Sequence, residues 1–353
     1  MNLNRFVRSA YGIVRNKYDL YWDEKKIINI ISLSKNRKTV FIFGSPGHSN
    51  MGDQAQMYCI QKWINQNFEE YQCVFFTLRT STDKVIRHLR KQINSDDLLM
   101  FHSGYHLTDL YREKDVYCKI AQLFPDFKIF IFAQTINFKD KDEEKKIATI
   151  FNKHGKITLC CRDELSYQNA QKIFVNCRLL LYPDIVTSLI GSKHYTNNRQ
   201  GILFCMRNDI EAFYKVETIQ KLRDKFENIT TEMTDTTISI PYSIINEGSN
   251  REKLLIEIFE QFSKYKLVIT DRYHGTIFSL IAGTPVIVVS STDHKLSSGV
   301  KWFPVEFENY VKFAPDLEDV PQLVHDILSN ENLTYHLMPY FEENYYSVLK
   351  SKL

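Results

Sequence analysis

The chain has 353 residues, with 45 basic and 42 acidic side chains and a formal net charge of +3. At 44% hydrophobic and 25% charged residues its composition is ordinary for a globular protein, which excludes disordered and fibrous classes, and a length of this order points to two domains. So small a basic excess, with no Lys/Arg-rich run, gives no reason to expect a nucleic-acid partner.

Leu3, Phe6, Ala10, Ile13 and Val14 recur at helical spacing, flanked by Arg5, Arg8 and Arg15. A basic amphipathic helix of this kind either lies on an anionic membrane surface or packs against the protein body. From residue 39 onward, short β-branched or aromatic runs alternate with segments of helical period, the signature of βα units on a parallel sheet. Strands are expected at Thr39–Phe43, Cys73–Leu78, Leu98–His102, Phe127–Ala133, Ile157–Cys161 and Leu179–Tyr182, with helices from about Asp53 and near 82–94, 113–123, 141–153 and 163–174. A polar stretch at 191–200 reads as a linker. A second α/β series follows, with strands at Gly201–Met206, near 237–240, at Leu267–Thr270 and at Val286–Val289. Its helices are expected at 211–227, 251–264, from His274 and at 319–329, with a Tyr-rich helix over 333–350. The expected architecture is therefore α/β: an N-terminal Rossmann-like domain over 1–190 and a C-terminal one over 191–353. Open sheets of this kind bind ligands beyond the carboxyl ends of their strands, so the residues just after strands are the candidates for chemistry.

Seven cysteines show neither CxxC nor zinc-ligand spacing, and four of them (Cys59, Cys73, Cys160, Cys205) sit in apolar stretches, as buried thiols do. The N-terminus lacks the apolar core and cleavage site of a secretory signal. The longest uncharged run, Thr276–Thr292, is too short to span a bilayer. A soluble, reduced, cytoplasmic protein is expected.

After the first strand comes Gly44-Ser-Pro-Gly-His-Ser-Asn-Met-Gly-Asp53, whose glycines let the backbone approach a ligand at a helix N-terminus; Asp53 is also a natural helix cap. Neither a Walker A loop nor GxGxxG is present. After a second-domain strand comes Thr270-Asp-Arg-Tyr-His-Gly-Thr276. Here Arg272 suits carboxylate or phosphate, and His274 can carry a proton at neutral pH. Arg162-Asp-Glu-Leu-Ser166 follows a strand in the same way, and either Arg162 holds a ligand or the segment is a helix cap, with Arg162 at the surface. Asp184 follows the last strand of the first domain, Arg207 the first of the second, and Lys295 lies beyond Val286–Val289. His102 and His106 have the His-x3-His spacing of metal ligands, with Asp109 nearby, but Ser103-Gly104 makes the segment a loop and no further ligand is obvious.

Asn50-Met-Gly-Asp53, Arg162-Asp-x-x-Ser166, Pro183-Asp184 and Arg272-Tyr-His274-Gly, with Gly283-Thr-Pro285 behind, occur in an order that resembles the polysaccharide pyruvyl transferase family over about 39–305. The chain differs from the family where Arg-Leu-His becomes Arg272-Tyr273-His274. It differs again where a glycine-rich run becomes His102-Ser-Gly-Tyr-His106, and where Gln134-Thr-Ile-Asn lacks a following Gly-Pro. The resemblance implies two Rossmann-like domains facing across a cleft, as in GT-B glycosyltransferases. It also implies transfer of the pyruvyl group of phosphoenolpyruvate onto two hydroxyls of a sugar in a surface-polysaccharide precursor carried on a lipid, giving a cyclic ketal and phosphate. On that basis His274 is the acid, with Arg162 and Arg272 holding the donor anion beside Arg207 and Lys295. Asn50, Gly52, Asp53 and Asp184 face the acceptor, and the scheme requires no metal or cofactor. It also suggests peripheral contact with the inner membrane surface. Two other readings remain open at this point: a GT-B glycosyltransferase using a nucleotide sugar, and a non-catalytic partner in polysaccharide assembly.

Overall fold

The computed structural model describes residues 3–208, 212–290 and 299–353, with side chains from Tyr18 onward. Helix α1 (Leu3–Ser34) leads into a first sheet. Its strands are β1 (Thr39–Ser45), β2 (Gln72–Thr77), β3 (Leu98–Phe101), β4 (Gly104–Thr108), β5 (Ile129–Asn137), β6 (Ile157–Cys161) and β7 (Arg178–Leu181). They are joined by α2 (Met51–Asn67), α3 (Asp83–Gln92), α4 (Glu113–Leu123), α5 (Lys141–His154) and α6 (Glu164–Ile173). The order across the sheet is β2-β1-β3-β5-β6-β7. β4 pairs with β5 just beyond β3, so β3 and β4 run end to end along one edge of β5, interrupted at His102-Ser103. Gly104 restarts the pairing at φ +135°, a conformation few other residues adopt.

The second sheet comprises β8 (Ile202–Cys205), β9 (Thr231–Thr234), β10 (Leu267–Thr270), β11 (Val286–Val289) and β12 (Val311–Ala314), in the order β12-β11-β10-β8-β9. Around it lie α7 (Val216–Asp224), α8 (Tyr242–Ile245), α9 (Asn250–Phe262), α10 (Tyr273–Ile281) and α11 (Val320–Leu328). All pairings among the named strands are parallel, and the central ones are buried on both faces, which is why they read as continuous apolar runs such as LVIT and VIVV. Each sheet reverses its strand order once: between β1 and β3 in the first, and between β8 and β10 in the second. Those reversals open a crevice at the strand carboxyl ends, where ligands bind in open α/β folds.

The structure departs from the sequence reading in several places. The strand expected near 237–240 is instead β9 at Thr231–Thr234. Residues 237–238 reach across to the first domain, where Thr237 bridges Asn50 and the Ile238 N–H donates to Ser49 O at 3.2 Å. β4 and β12 add two unexpected strands. The single helix expected over 333–350 is irregular up to Pro339, with Tyr335 at φ +54°, and contains a π-helical turn at Glu342–Tyr346. Pro339 has no N–H to continue a helical ladder. This tail crosses back onto the first domain: Trp63 Nε1 donates to Tyr346 O at 2.9 Å, the Tyr346 hydroxyl donates to Pro183 O, and Lys350 donates to Asn67 O. No described helix is long and apolar enough to cross a membrane.

Candidate active site

The site begins with a close approach between domains. Asn50 caps α2 by accepting the Gly52 N–H at 2.9 Å, so the cap falls on Asn50 and not on Asp53. The Met51 N–H donates to Thr236 O in the second domain at 2.8 Å. A Cβ on Gly52 would lie 2.1 Å from His274 Nδ1, so only glycine lets the start of α2 meet the imidazole. Asp53, in the first turn, faces His48 at 3.6 Å.

Asp184 is the hub. Its Oδ1 accepts the Val186 N–H at 3.0 Å. Its Oδ2 accepts Gln56 Nε2 at 2.5 Å and Arg162 Nη1 at 3.3 Å, and lies 3.6 Å from His274 Nε2. Full burial alone would raise this carboxyl. The His274 ring, the Arg162 guanidinium and the Val186 N–H outweigh that and hold it well below the usual carboxylate range. Asp184, expected on the acceptor side, has both oxygens engaged inside the protein.

Arg162 is buried, not at the surface, and Asp163 supplies the cap of α6 by accepting the Ser166 N–H at 2.8 Å. The guanidinium donates to Thr135 Oγ1 and lies 5.3 Å from the centre of the Tyr273 ring, while Trp302 Nε1 donates to Arg162 O at 2.7 Å. Arg272 holds Asp235 with Nε at 2.8 Å and Nη2 at 2.7 Å, a planar two-point pair. The Arg207 N–H donates to Asp271 Oδ1 at 2.7 Å, and burial pushes the Asp271 carboxyl upward. Lys295 lies outside the described residues. The structure therefore brings together Gly52, Arg162, Asp184 and His274, with Arg272 two residues before His274 in the chain.

Sequence reasoning missed Gln56, Thr135, Asp235 and Trp302, and took His102 only as a metal candidate. Gln56 stands three residues after Asp53, on the same helical face, which is the one signal that pointed to it. Asp109 caps a different turn, accepting the Lys139 and Asp140 N–H groups.

This arrangement sets guanidinium groups near an imidazole that a buried carboxylate faces, a combination suited to holding an anion and carrying a proton. A family model described as polysaccharide pyruvyl transferase matches residues 50–294, most of the chain. General stress protein 30 of Bacillus subtilis is 29% identical over 310 residues, covering 85% of this chain and 88% of that one. Pyruvyl transferase 1 of Schizosaccharomyces pombe is 27% identical over 270 residues, covering 72% and 67%. Among solved structures, an alpha-glucosyltransferase in complex with UDP and a DNA oligonucleotide superposes with a TM-score of 0.51 at 11% identity, covering 88% of this chain and 94% of that one. That likeness shows the fold, two Rossmann-like domains of GT-B type. The chain belongs to the polysaccharide pyruvyl transferase family and is an enzyme of pyruvyl transfer in polysaccharide synthesis.

Proposed function

We propose that this enzyme takes its pyruvyl group from phosphoenolpyruvate and places it on two hydroxyls of one sugar as a cyclic ketal. The observation that carries the reading is His274 Nε2 facing the ionised Asp184 at 3.6 Å, in one cluster with Arg162. The donor's carboxylate and phosphate need fixed cations, which Arg162, Arg272 and Arg207 supply, with Lys295 as a further candidate. His274 gives a proton to the donor methylene, which becomes the methyl group, and C2 becomes electrophilic. The first sugar hydroxyl bonds to C2 and loses its proton. The second displaces phosphate and loses its own, so of two protons released one replaces that given by His274 and the other leaves with phosphate or solvent. Asp184 orients the ring and balances its charge. The sugar belongs to a surface-polysaccharide precursor on a lipid carrier at the inner face of the membrane.

The test is phosphate release from phosphoenolpyruvate with a panel of methyl galactosides, glucosides and N-acetylhexosaminides, free and lipid-linked, with NMR of the product for the ketal methyl. Calorimetric binding of UDP without binding of phosphoenolpyruvate would overturn the donor and favour nucleotide-sugar transfer.

A further inference from the structure

Two buried hydrogen-bond acceptors at the switch point of the first sheet have no partner among the described residues: Gln56 Oε1 and His102 Nε2. Ser45 Oγ, the last side chain of β1, shares that condition. Native proteins rarely leave such atoms unpaired, because each forfeits the hydrogen bonds it made to water.

Their chemistry follows from their other bonds. The Gln56 amide nitrogen faces the Asp184 carboxylate, which can only accept, so the amide oxygen points away from Asp184. That oxygen would lie 3.5 Å from a Cβ on Gly104, with His106 Nε2 at 3.7 Å from the same point. His102 Nδ1 lies 2.5 Å from Ser103 O, a carbonyl that can only accept, so Nδ1 carries the hydrogen and Nε2 presents a lone pair. Burial pushes His102 down to about 4, so it is neutral near pH 7; Asp53 and Asp184 act on it in the opposite sense. The groups around them are paired: Gln134 Nε2 donates to His102 O at 2.5 Å, the His106 N–H donates to Gln134 Oε1 at 3.0 Å, and Tyr117 OH pairs with His106 Nδ1 at 2.7 Å. The unpaired acceptors are held rigidly.

The topology makes them one group. The His102 N–H donates to Phe43 O at 2.9 Å, which joins the ends of β3 and β1, and Gln56 stands on the helix leaving β1. This is the crevice where open sheets bind ligands. We propose that Gln56 Oε1 and His102 Nε2 accept the hydrogens of two hydroxyls of one sugar, forming an acceptor-diol subsite on the first domain. Gln56 then links that subsite to the proton-transfer pair, because its other end bonds Asp184. The inference rests on the pyruvyl-transfer reading only for the identity of the ligand as the acceptor.

The test uses the full chain and two measurements. Saturation-transfer NMR with the same methyl glycosides reads binding without turnover. His102→Phe should abolish or weaken binding about tenfold, the cost of one lost acceptor, and single-deoxy glycosides lacking one of the paired hydroxyls should bind wild type equally weakly. In turnover, His102→Phe should raise KM for the glycoside about tenfold and leave KM for phosphoenolpyruvate within about twofold, with partial recovery in His102→Gln. The proposal is overturned if no glycoside binds wild type, if His102→Phe binds like wild type, or if both KM values rise together. Failure of phosphate release with glycoside binding intact and sensitive to His102 would count against the donor reading and not against this subsite.

Discussion

The imidazole of His274, from the second domain, and the carboxylate of Asp184, from the first, face each other at 3.6 Å across the domain boundary. Neither residue alone forms a proton-transfer unit: the pair exists only when the crevices of both sheets meet, and Gly52 is what permits the approach. His274→Ala is expected to lower kcat for phosphate release by roughly 10²–10⁴-fold, the worth of general acid catalysis. Asp184→Asn keeps the shape but not the charge, and should lower kcat by a similar order. Because the two act as a unit, the double variant should be no worse than the poorer single one. A loss below about tenfold in His274→Ala would remove that residue from the acid role, and additive losses would separate it from Asp184.

Arg162 and Arg272 differ in their partners, and their variants should differ too. Arg162→Ala strips a buried guanidinium from Asp184, so it should weaken phosphoenolpyruvate binding tens-fold and also lower thermal stability, because breaking a buried pair leaves an uncompensated charge. Arg272→Ala should weaken the donor as strongly, and Asp235→Asn should partly restore the stability of that variant by removing the carboxylate left unpaired. Calorimetry and melting curves read both effects. Donor affinity equal to wild type in both Arg variants would place the donor elsewhere.

Stability should fall as the pH drops below the ordinary histidine range. Burial lowers His102 to about 4 and His106 to about 3 from an ordinary value near 6.5. Both rings are neutral when folded, whereas the unfolded chain binds protons below pH 6.5, so the stabilisation is complete above that value and is lost as pH falls toward 4. Each ring contributes a slope of up to about 1.4 kcal/mol per pH unit in that window. Asp184, held low, adds a loss only below about pH 4. Urea midpoints at pH 7.5, 6 and 5 read the slope, and a double His102→Phe, His106→Phe variant should flatten it. A midpoint independent of pH over this range would show that the rings are protonated in the fold.

How much of this was legible in the sequence follows from what each feature depends on. Strands such as LVIT and VIVV are buried on both faces and announce themselves by composition, and the motif residues follow them at the edge where ligands bind. His274, Arg162 and Asp184 were legible for that reason. Gln56 was not, because its role comes from a bond to Asp184, 128 residues away, and its place on the face of Asp53 does not reveal that partner. Asp235 was missed because the strand was expected near 237–240, which hid that Asp235 directly follows β9, the position where site residues fall. Residues 237–238 do form extended contacts, but with the first domain and not within their own sheet. The 333–350 tail misled in the same way: its tyrosines have helical spacing, but their packing onto Pro183 and Trp63 sets a π-helical turn.

The later part of α1 is fixed to the first domain: Ile27 and Ile31 are buried, Asp23 pairs with Arg79 at 2.7 Å, and Glu24 accepts the Thr82 hydroxyl at 2.6 Å. Ser34 lies by Gln72 at the start of β2, whereas Asp23 and Glu24 lie by residues just past its end, so the helix runs antiparallel to β2. At 1.5 Å per residue, residues 3–22 extend about 30 Å beyond the edge of the sheet that carries the site. Tyr18, Tyr21 and Trp22 are exposed, with Lys25 over the Trp22 ring at 4.9 Å. The first 18 residues contain Arg5, Arg8, Arg15 and Lys17 and no acidic residue. Aromatic and basic residues together suit an anionic lipid surface, and a helix projecting on this side would hold the crevice toward a lipid-carried acceptor. The protein should therefore sediment with phosphatidylglycerol vesicles and be released by salt, since the attraction is screened within about 10 Å at 0.1 M. Deleting residues 1–20 should abolish sedimentation, spare phosphate release with a short soluble glycoside and reduce it with a lipid-linked one. A truncated protein that is insoluble, or inactive with the soluble acceptor as well, would show that the segment packs against the protein body, the other reading of its amphipathic spacing.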